Sequence, residues 1–256
     1  MKIGLRLESL DLPLRRAVDE AARLGVAGIQ VDAVGDLSPK QLSQTGRREF
    51  RTLLSARNLS LAALGCPLRR GLDAAENQQA RLEHVQNVMA LAFELGARVV
   101  IVPPGRLPLE GQPDPLREPL LALGQHGDRI GCTLACETGL EAGDVLAAYL
   151  ARFDTGSLAA NFDPGNLVVH GFNPYQSVAA LGRFIAQVHA RDARGASPSR
   201  AAREVPLGAG DINWLDFFDA LREQEYQKWV VVVRDDSNNR HAEVAHGVEF
   251  LRRFIA

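Results

Sequence analysis

Residues 76–104 read ENQQARLEHVQNVMALAFELGARVVIVPP, and this stretch decides the fold class. Apolar residues recur at three- and four-residue steps from Glu76 to Leu95, the spacing of a helix that buries one face. Gly96 follows the helical pattern, where a chain leaving a helix needs a residue at ease in the left-handed conformation. Arg98-Val99-Val100-Ile101-Val102-Pro103-Pro104 is then a short β-rich run. A helix feeding a nearly continuous apolar strand predicts a parallel sheet covered by helices.

The same rhythm runs in both directions. Strand candidates start at Lys2 (KIGLRL), Gly28 (GIQVDA), Leu59 (LSLAALG), Arg98, Cys132 (CTLACET), Leu158 (LAANFDP), Ile185 (IAQVHAR) and Lys228 (KWVVVVRD). Helical periodicity covers Pro13–Leu24, Pro39–Arg57, Glu76–Leu95 and Trp214–Glu223, with Gly25 after the first helix and Ser38-Pro39 as N-cap and first residue of the second. Eight units in 256 residues predict a closed α/β (β/α)₈ barrel, a single TIM-barrel domain over residues 1–256. A doubly wound sheet is the competing fold. It would want G-x-G-x-x-G after the first strand, but Glu8-Ser9-Leu10-Asp11 stands there. The longest irregular stretch, Arg191 to Asp211, follows the seventh strand and is expected to lie at the C-terminal face of the barrel.

Composition excludes several function classes. Net charge is −2 and the basic residues are scattered, so a nucleic-acid partner is not expected. No apolar run approaches the roughly 20 residues of a membrane span. Three cysteines make no disulfide framework, and the start MKIGLRLESLDLPL has no signal-peptide core, so the reduced cytoplasm is the expected location.

Three neighbouring strands end in potential metal ligands: Glu137 on the fifth, Asp163 on the sixth and His189 on the seventh. Side chains alternate along a strand, so one inward phase serves all three. Two carboxylates converging on a core mouth lose hydration, which costs several kcal/mol per uncompensated ion, and a divalent cation would offset that loss. Two carboxylates and an imidazole suit Mn²⁺, Mg²⁺, Co²⁺ or Zn²⁺.

With Asp163-Pro164-Gly165-Asn166, Val188-His189-Ala190-Arg191-Asp192 and the stretch from Glu204 to Asp211, the chain resembles the xylose isomerase-like TIM-barrel superfamily nearly end to end. That resemblance implies a metal-dependent isomerase or epimerase acting on a sugar, sugar phosphate or polyol through an enediolate. Glu137 would be a ligand and a base, and Asp163 and His189 would be ligands. Asn166, Arg191 and Asp192 are the expected substrate-binding residues. A homo-oligomer is a possible assembly.

Two positions depart from the family pattern. Val233 stands where the eighth strand should bring a second glutamate, and Ala209 stands where relatives often carry Glu. Asp235, two residues further in the same phase, is the expected substitute as ligand and catalytic group. The alternative is a catalytically impaired barrel that binds a sugar or a partner. An endonuclease IV-like phosphodiesterase is disfavoured, because only His189 of the six histidines falls at a strand end. Arg6, Glu8 and Asp32 stand near the ends of the first two strands, as fit for the surface as for the pocket. His170 is expected to be an exposed loop residue. Cys132 and Cys136 should face the helices, and Trp214, Phe217, Phe218 and Leu221 should pack on the barrel.

Overall fold

The computed structural model describes residues 1–109 and 111–255. Along the first half of the chain, strands β1 (Lys2–Arg6), β2 (Gly28–Asp32), β3 (Ser60–Gly65) and β4 (Val99–Val102) alternate with helices α1 (Leu14–Arg23), α2 (Gln44–Ser55) and α3 (Gln78–Leu95). The second half brings α4 (Arg117–Ile130), β5 (Thr133–Glu137), α5 (Gly143–Leu150), β6 (Leu158–Phe162), α6 (Pro164–Val169), α7 (Pro174–Leu181) and β7 (Ile185–Ala190). A short hairpin, β8 (Asp192–Arg194) with β9 (Arg203–Val205), precedes α8 (Trp214–Glu223), β10 (Trp229–Val232) and α9 (Arg240–Leu251).

Eight parallel strands close on themselves in the ring order β1-β10-β7-β6-β5-β4-β3-β2. The main core lies between strands and helices, where Phe162, Phe217, Phe218, Leu64 and Met89 are almost fully buried. Inside the ring the filling is small: Ala63, Ile101, Ala135, Ala159 and Ala186 form one cluster. Two register shifts, at Ile29/Gln30 against β3 and at Ala160/Asn161 against β7, re-aim the following residues, as bulges beside sites do. After the second shift Asn161 pairs with Gln187, and Val231 on β10 pairs with His189.

Gly96 ends α3 at φ +94, as the sequence requires, and the expected α8 aromatics are buried. Two expectations need correction. The second helix begins at Gln44, not Pro39: Ser43 caps it by accepting from the Gly46 N–H, while Ser38 accepts the N–H groups of Gln41 and Leu42 in a turn ahead of it. The stretch from Arg191 to Asp211 is less irregular than expected, because β8 and β9 pair antiparallel within it. Among the described residues no helix is long and apolar enough to cross a membrane.

Candidate functional site

A band of amides lies in the barrel interior just below its C-terminal mouth. Gln30, Asn161, Gln187 and His189 are all buried. Gln30 Oε1 accepts from Gln187 Nε2 at 2.7 Å and from His189 Nε2 at 2.8 Å, while Asn161 Nδ2 donates to His189 Nδ1 at 3.0 Å. Nε2 of His189 thus faces the Gln30 oxygen, and Nδ1 faces the Asn161 amide nitrogen. Asp163 Oδ2 lies 3.7 Å from that Nδ1.

Above the amides, carboxylates and guanidiniums alternate around half the ring. Arg191 Nε donates to Asp163 Oδ2 at 2.9 Å, and its Nη2 donates to Asp235 Oδ2 at 2.8 Å. Arg6 Nη1 donates to Asp235 Oδ1 at 2.9 Å, and its Nη2 donates to Asp32 Oδ2 at 2.8 Å. The hairpin braces this chain from outside. Glu204 of β9 accepts from Arg191 Nη1 at 3.0 Å and from the Asp235 N–H at 3.1 Å, and pairs with Arg234 at 3.0 Å. Gly65 makes room for Asp32, since a Cβ there would stand 2.0 Å from Asp32 Oδ1. Burial alone would raise the Asp163 and Asp235 carboxyls, but Arg191 holds both below the ordinary range, with His189 helping at Asp163 and Arg6 at Asp235.

Glu137 differs from these acids. Among the described residues it has no hydrogen bond or ion pair, and it lines a cavity of about 270 Å³ at the mouth. Arg6, Asp32, Cys66, Asn166, His189, Arg191 and Asp235 also line that cavity. Burial pushes the Glu137 carboxyl up; His189 and the two guanidiniums pull against the shift and Asp163 adds to it. In the ring order β5 lies opposite β1, so Glu137 faces Arg6 across the opening.

The expected site residues therefore divide. Glu137, His189, Asn166, Arg191 and Asp235 gather around the cavity. Asp163 sits behind it and caps α6, with Oδ1 accepting the Asn166 N–H at 2.9 Å. Asp192, expected to bind substrate, is turned to the scaffold instead. It accepts from the N–H groups of Ala193 (2.8 Å), Gly208 (2.9 Å) and Gly210 (3.1 Å) and from Trp214 Nε1 (3.0 Å), and so pins the loop after the hairpin. A Cβ at Gly210 would stand 1.9 Å from its Oδ1. His170 is exposed, as expected. Arg6 and Asp32 belong to the cavity wall, while Glu204, Gln30, Asn161 and Gln187 are contributors the sequence reading did not assign to the site. The last three carry a usable signal: each stands two residues before Asp163, His189 or Asp32, in the same inward phase.

The donor set also bears on the expected metal. Both Asp235 oxygens accept from guanidiniums, both Asp163 oxygens accept from N–H groups, and both His189 nitrogens are hydrogen-bonded. Of the four, only Glu137 has no hydrogen-bond partner among the described residues; the two aspartates are turned to guanidinium and backbone N–H groups and the imidazole to amides, whereas a divalent cation takes four or more donors aimed at one point. Among the described residues no three His, Cys, Asp or Glu side chains form a group able to hold a metal. As arranged, the expected ligands Glu137, Asp163, His189 and Asp235 do not fit a divalent cation; the positive charge at the mouth is supplied by Arg191 and Arg6.

A (β/α)₈ barrel with its polar centre at the C-terminal mouth defines a class of proteins that handle small molecules at that end. The xylose isomerase-like TIM-barrel family matches residues 18–254, and the chain belongs to it. A xylose isomerase domain protein from Planctomyces limnophilus superposes with a TM-score of 0.88 at 22% identity, over 99% of this chain and 96% of that one. A D-psicose 3-epimerase solved in the presence of D-fructose gives 0.79 at 15% identity, over 100% and 99%. A xylose isomerase-like barrel from Mycobacterium smegmatis, in complex with magnesium, gives 0.78 at 20% identity, over 99% and 96%. At these identities the likeness establishes the fold.

Proposed function

We propose that this barrel binds a small polyhydroxylated carbonyl compound, a sugar or an oxidised polyol, at its mouth and isomerises it by moving a proton through an enediolate. The observation that carries this reading is Glu137: a carboxylate free of partners among the described residues, lining a cavity whose wall also holds two guanidiniums and an imidazole. A general base must be unencumbered and within reach of the proton it takes. Removing a proton from the carbon beside a carbonyl throws negative charge onto the oxygen, and fixed N–H donors stabilise that charge as it forms. Arg191 and Arg6 have further N–H groups beyond those given to carboxylates, since each guanidinium carries five donors. Asn166 at the rim is placed for a substrate hydroxyl. Sugar 3-epimerases among the structural neighbours support a sugar-sized ligand.

Val233 favours a second reading, a barrel that binds a sugar without turning it over. It is buried with Val231 and Ala62 and offers no acid on β10. One experiment separates the two. The protein is incubated in D₂O with a panel of ketoses and aldoses, and deuterium at the carbon beside the carbonyl is read by NMR. Uptake above the protein-free rate supports the isomerase; binding without uptake supports the second reading.

A further inference from the structure

Barrel interiors are ordinarily filled by layers of bulky branched side chains. Here Ala159 and Ala186 stand near the N-terminal ends of β6 and β7 and pack with Val99 in the small interior cluster, so the bottom of the barrel is thinly filled on that side. A cavity of about 630 Å³ opens there, and the first residues of β4, β5 and β6 (Val99, Thr133 and Leu158) line it together with the two alanines. These strands and β7 are consecutive in the ring. No residue that lines this cavity lines the one at the mouth, so the two sites are separate.

The wall of this cavity is basic. Arg98, Arg183 and Lys228 each stand one or two residues ahead of a strand (β4, β7 and β10), and all three line it. Asp154 is the acid among the lining residues, which leaves three cations against one carboxylate, a net charge of +2. The Arg98 guanidinium lies over the Phe93 ring at 4.1 Å from its centre, and Arg183 lies over Phe184 at 4.9 Å. A guanidinium stacked by its face keeps its N–H edge for a planar or tetrahedral anion. Neither guanidinium makes a hydrogen bond or an ion pair among the described residues. Lys228 Nζ donates to the Ile185 carbonyl at 2.9 Å, which uses one of its three N–H groups. Partial desolvation lowers the Lys228 ammonium from the ordinary lysine value, and an anion beside it would reverse that shift. Leu150, Phe153 and Phe184 add apolar surface to the same wall.

We infer that this hollow at the N-terminal end of the barrel is a second ligand site, which binds a phosphate monoester with an apolar body. The Arg98 and Arg183 forks and the Lys228 ammonium take the phosphate oxygens, and Leu150, Phe153 and Phe184 cover the body. A phosphate monoester near neutrality carries close to two negative charges and three acceptor oxygens. It therefore matches both the net charge of the wall and its three cationic groups, whereas a carboxylate brings one charge and two oxygens.

The test uses the full chain with phenyl phosphate, inorganic phosphate, benzoate and phenol as probes, read by titration calorimetry and by the methyl NMR signals of Thr133, Ala159 and Ala186. The expected result is saturable binding of phenyl phosphate that shifts those methyls, weaker binding of inorganic phosphate and of benzoate, and none of phenol. Arg183→Ala and Lys228→Met should each weaken phenyl phosphate by about tenfold, the loss of one charge-assisted hydrogen bond. Arg183 is exposed, so its replacement leaves the fold intact, checked by an unchanged melting temperature. No saturable binding at millimolar concentration, wild-type affinity in both variants, or shifts confined to the Asn166 side-chain amide at the mouth would overturn the site. Benzoate binding as tightly as phenyl phosphate overturns the assignment to a phosphate, and inorganic phosphate binding as tightly overturns the apolar body.

Discussion

Asp192→Ala removes an acceptor that four N–H groups share. The indole of Trp214 and the backbone of Ala193 are buried at 3% and 0% exposure, while Gly208 and Gly210 lie where water can reach them. A buried donor left without an acceptor costs about 1–3 kcal/mol, so the two buried donors together cost about 4 kcal/mol. In a chain of this length each kcal/mol lowers the melting temperature by roughly 2–4 °C, which gives a drop of about 8–16 °C. Differential scanning calorimetry reads the drop, and hydrogen exchange over residues 203–211 reads the loosened loop. Asp192→Asn keeps an acceptor oxygen but sets an N–H₂ among donors, so it should fall between alanine and wild type. A shift under 2 °C with unchanged exchange in that loop would refute the assignment of Asp192 to the scaffold.

Other consequences follow from the same contacts. Gln30→Leu leaves the Gln187 and His189 nitrogens without their common partner, for a loss of about 2–5 kcal/mol in urea unfolding. The Cys66, Cys132 and Cys136 thiols are each pushed up to about 12 by burial, so a disulfide reagent at pH 8 should label none in the native protein and all three after guanidinium denaturation. Dialysis against a chelator should leave the melting temperature within 1 °C of untreated protein, and Mn²⁺ titration followed by electron paramagnetic resonance should show no stoichiometric site; a tight one-to-one complex would restore the four-ligand centre. For Glu137 the linkage sign is that of a carboxyl raised by folding: the folded state holds the proton more tightly, so stability falls as pH rises through its folded value. Glu137→Gln should therefore match or exceed the wild-type melting temperature at pH 8, by up to about 3 °C.

The barrel was legible because each strand is a short apolar run fenced by glycines and amphipathic helices, and those local signals agree with the global closure. The start of α2 was misread because Ser38-Pro39 and Ser43 are both acceptable helix starts; the choice falls to Ser43 because its hydroxyl meets the Gly46 N–H. Glu137, Asp163 and His189 were legible as strand-end polar groups in one phase. What the sequence hid is which charges pair. Arg6 lies 229 residues from Asp235 and Arg191 lies 44 residues from it, and only ring closure brings β1 beside β10. Asp192 was misplaced because its neighbour Arg191 does face the mouth, and adjacent strand residues point opposite ways.

The most direct test of the account compares wild type with Glu137→Gln on one substrate. Exchange of the carbon-bound proton with D₂O is followed by NMR, and sugar binding by both proteins is measured calorimetrically. The account predicts that the glutamine variant binds the sugar with wild-type affinity, within about threefold, and has lost the exchange. Exchange persisting at the wild-type rate in the glutamine variant would contradict it, because the proton would then travel through another group.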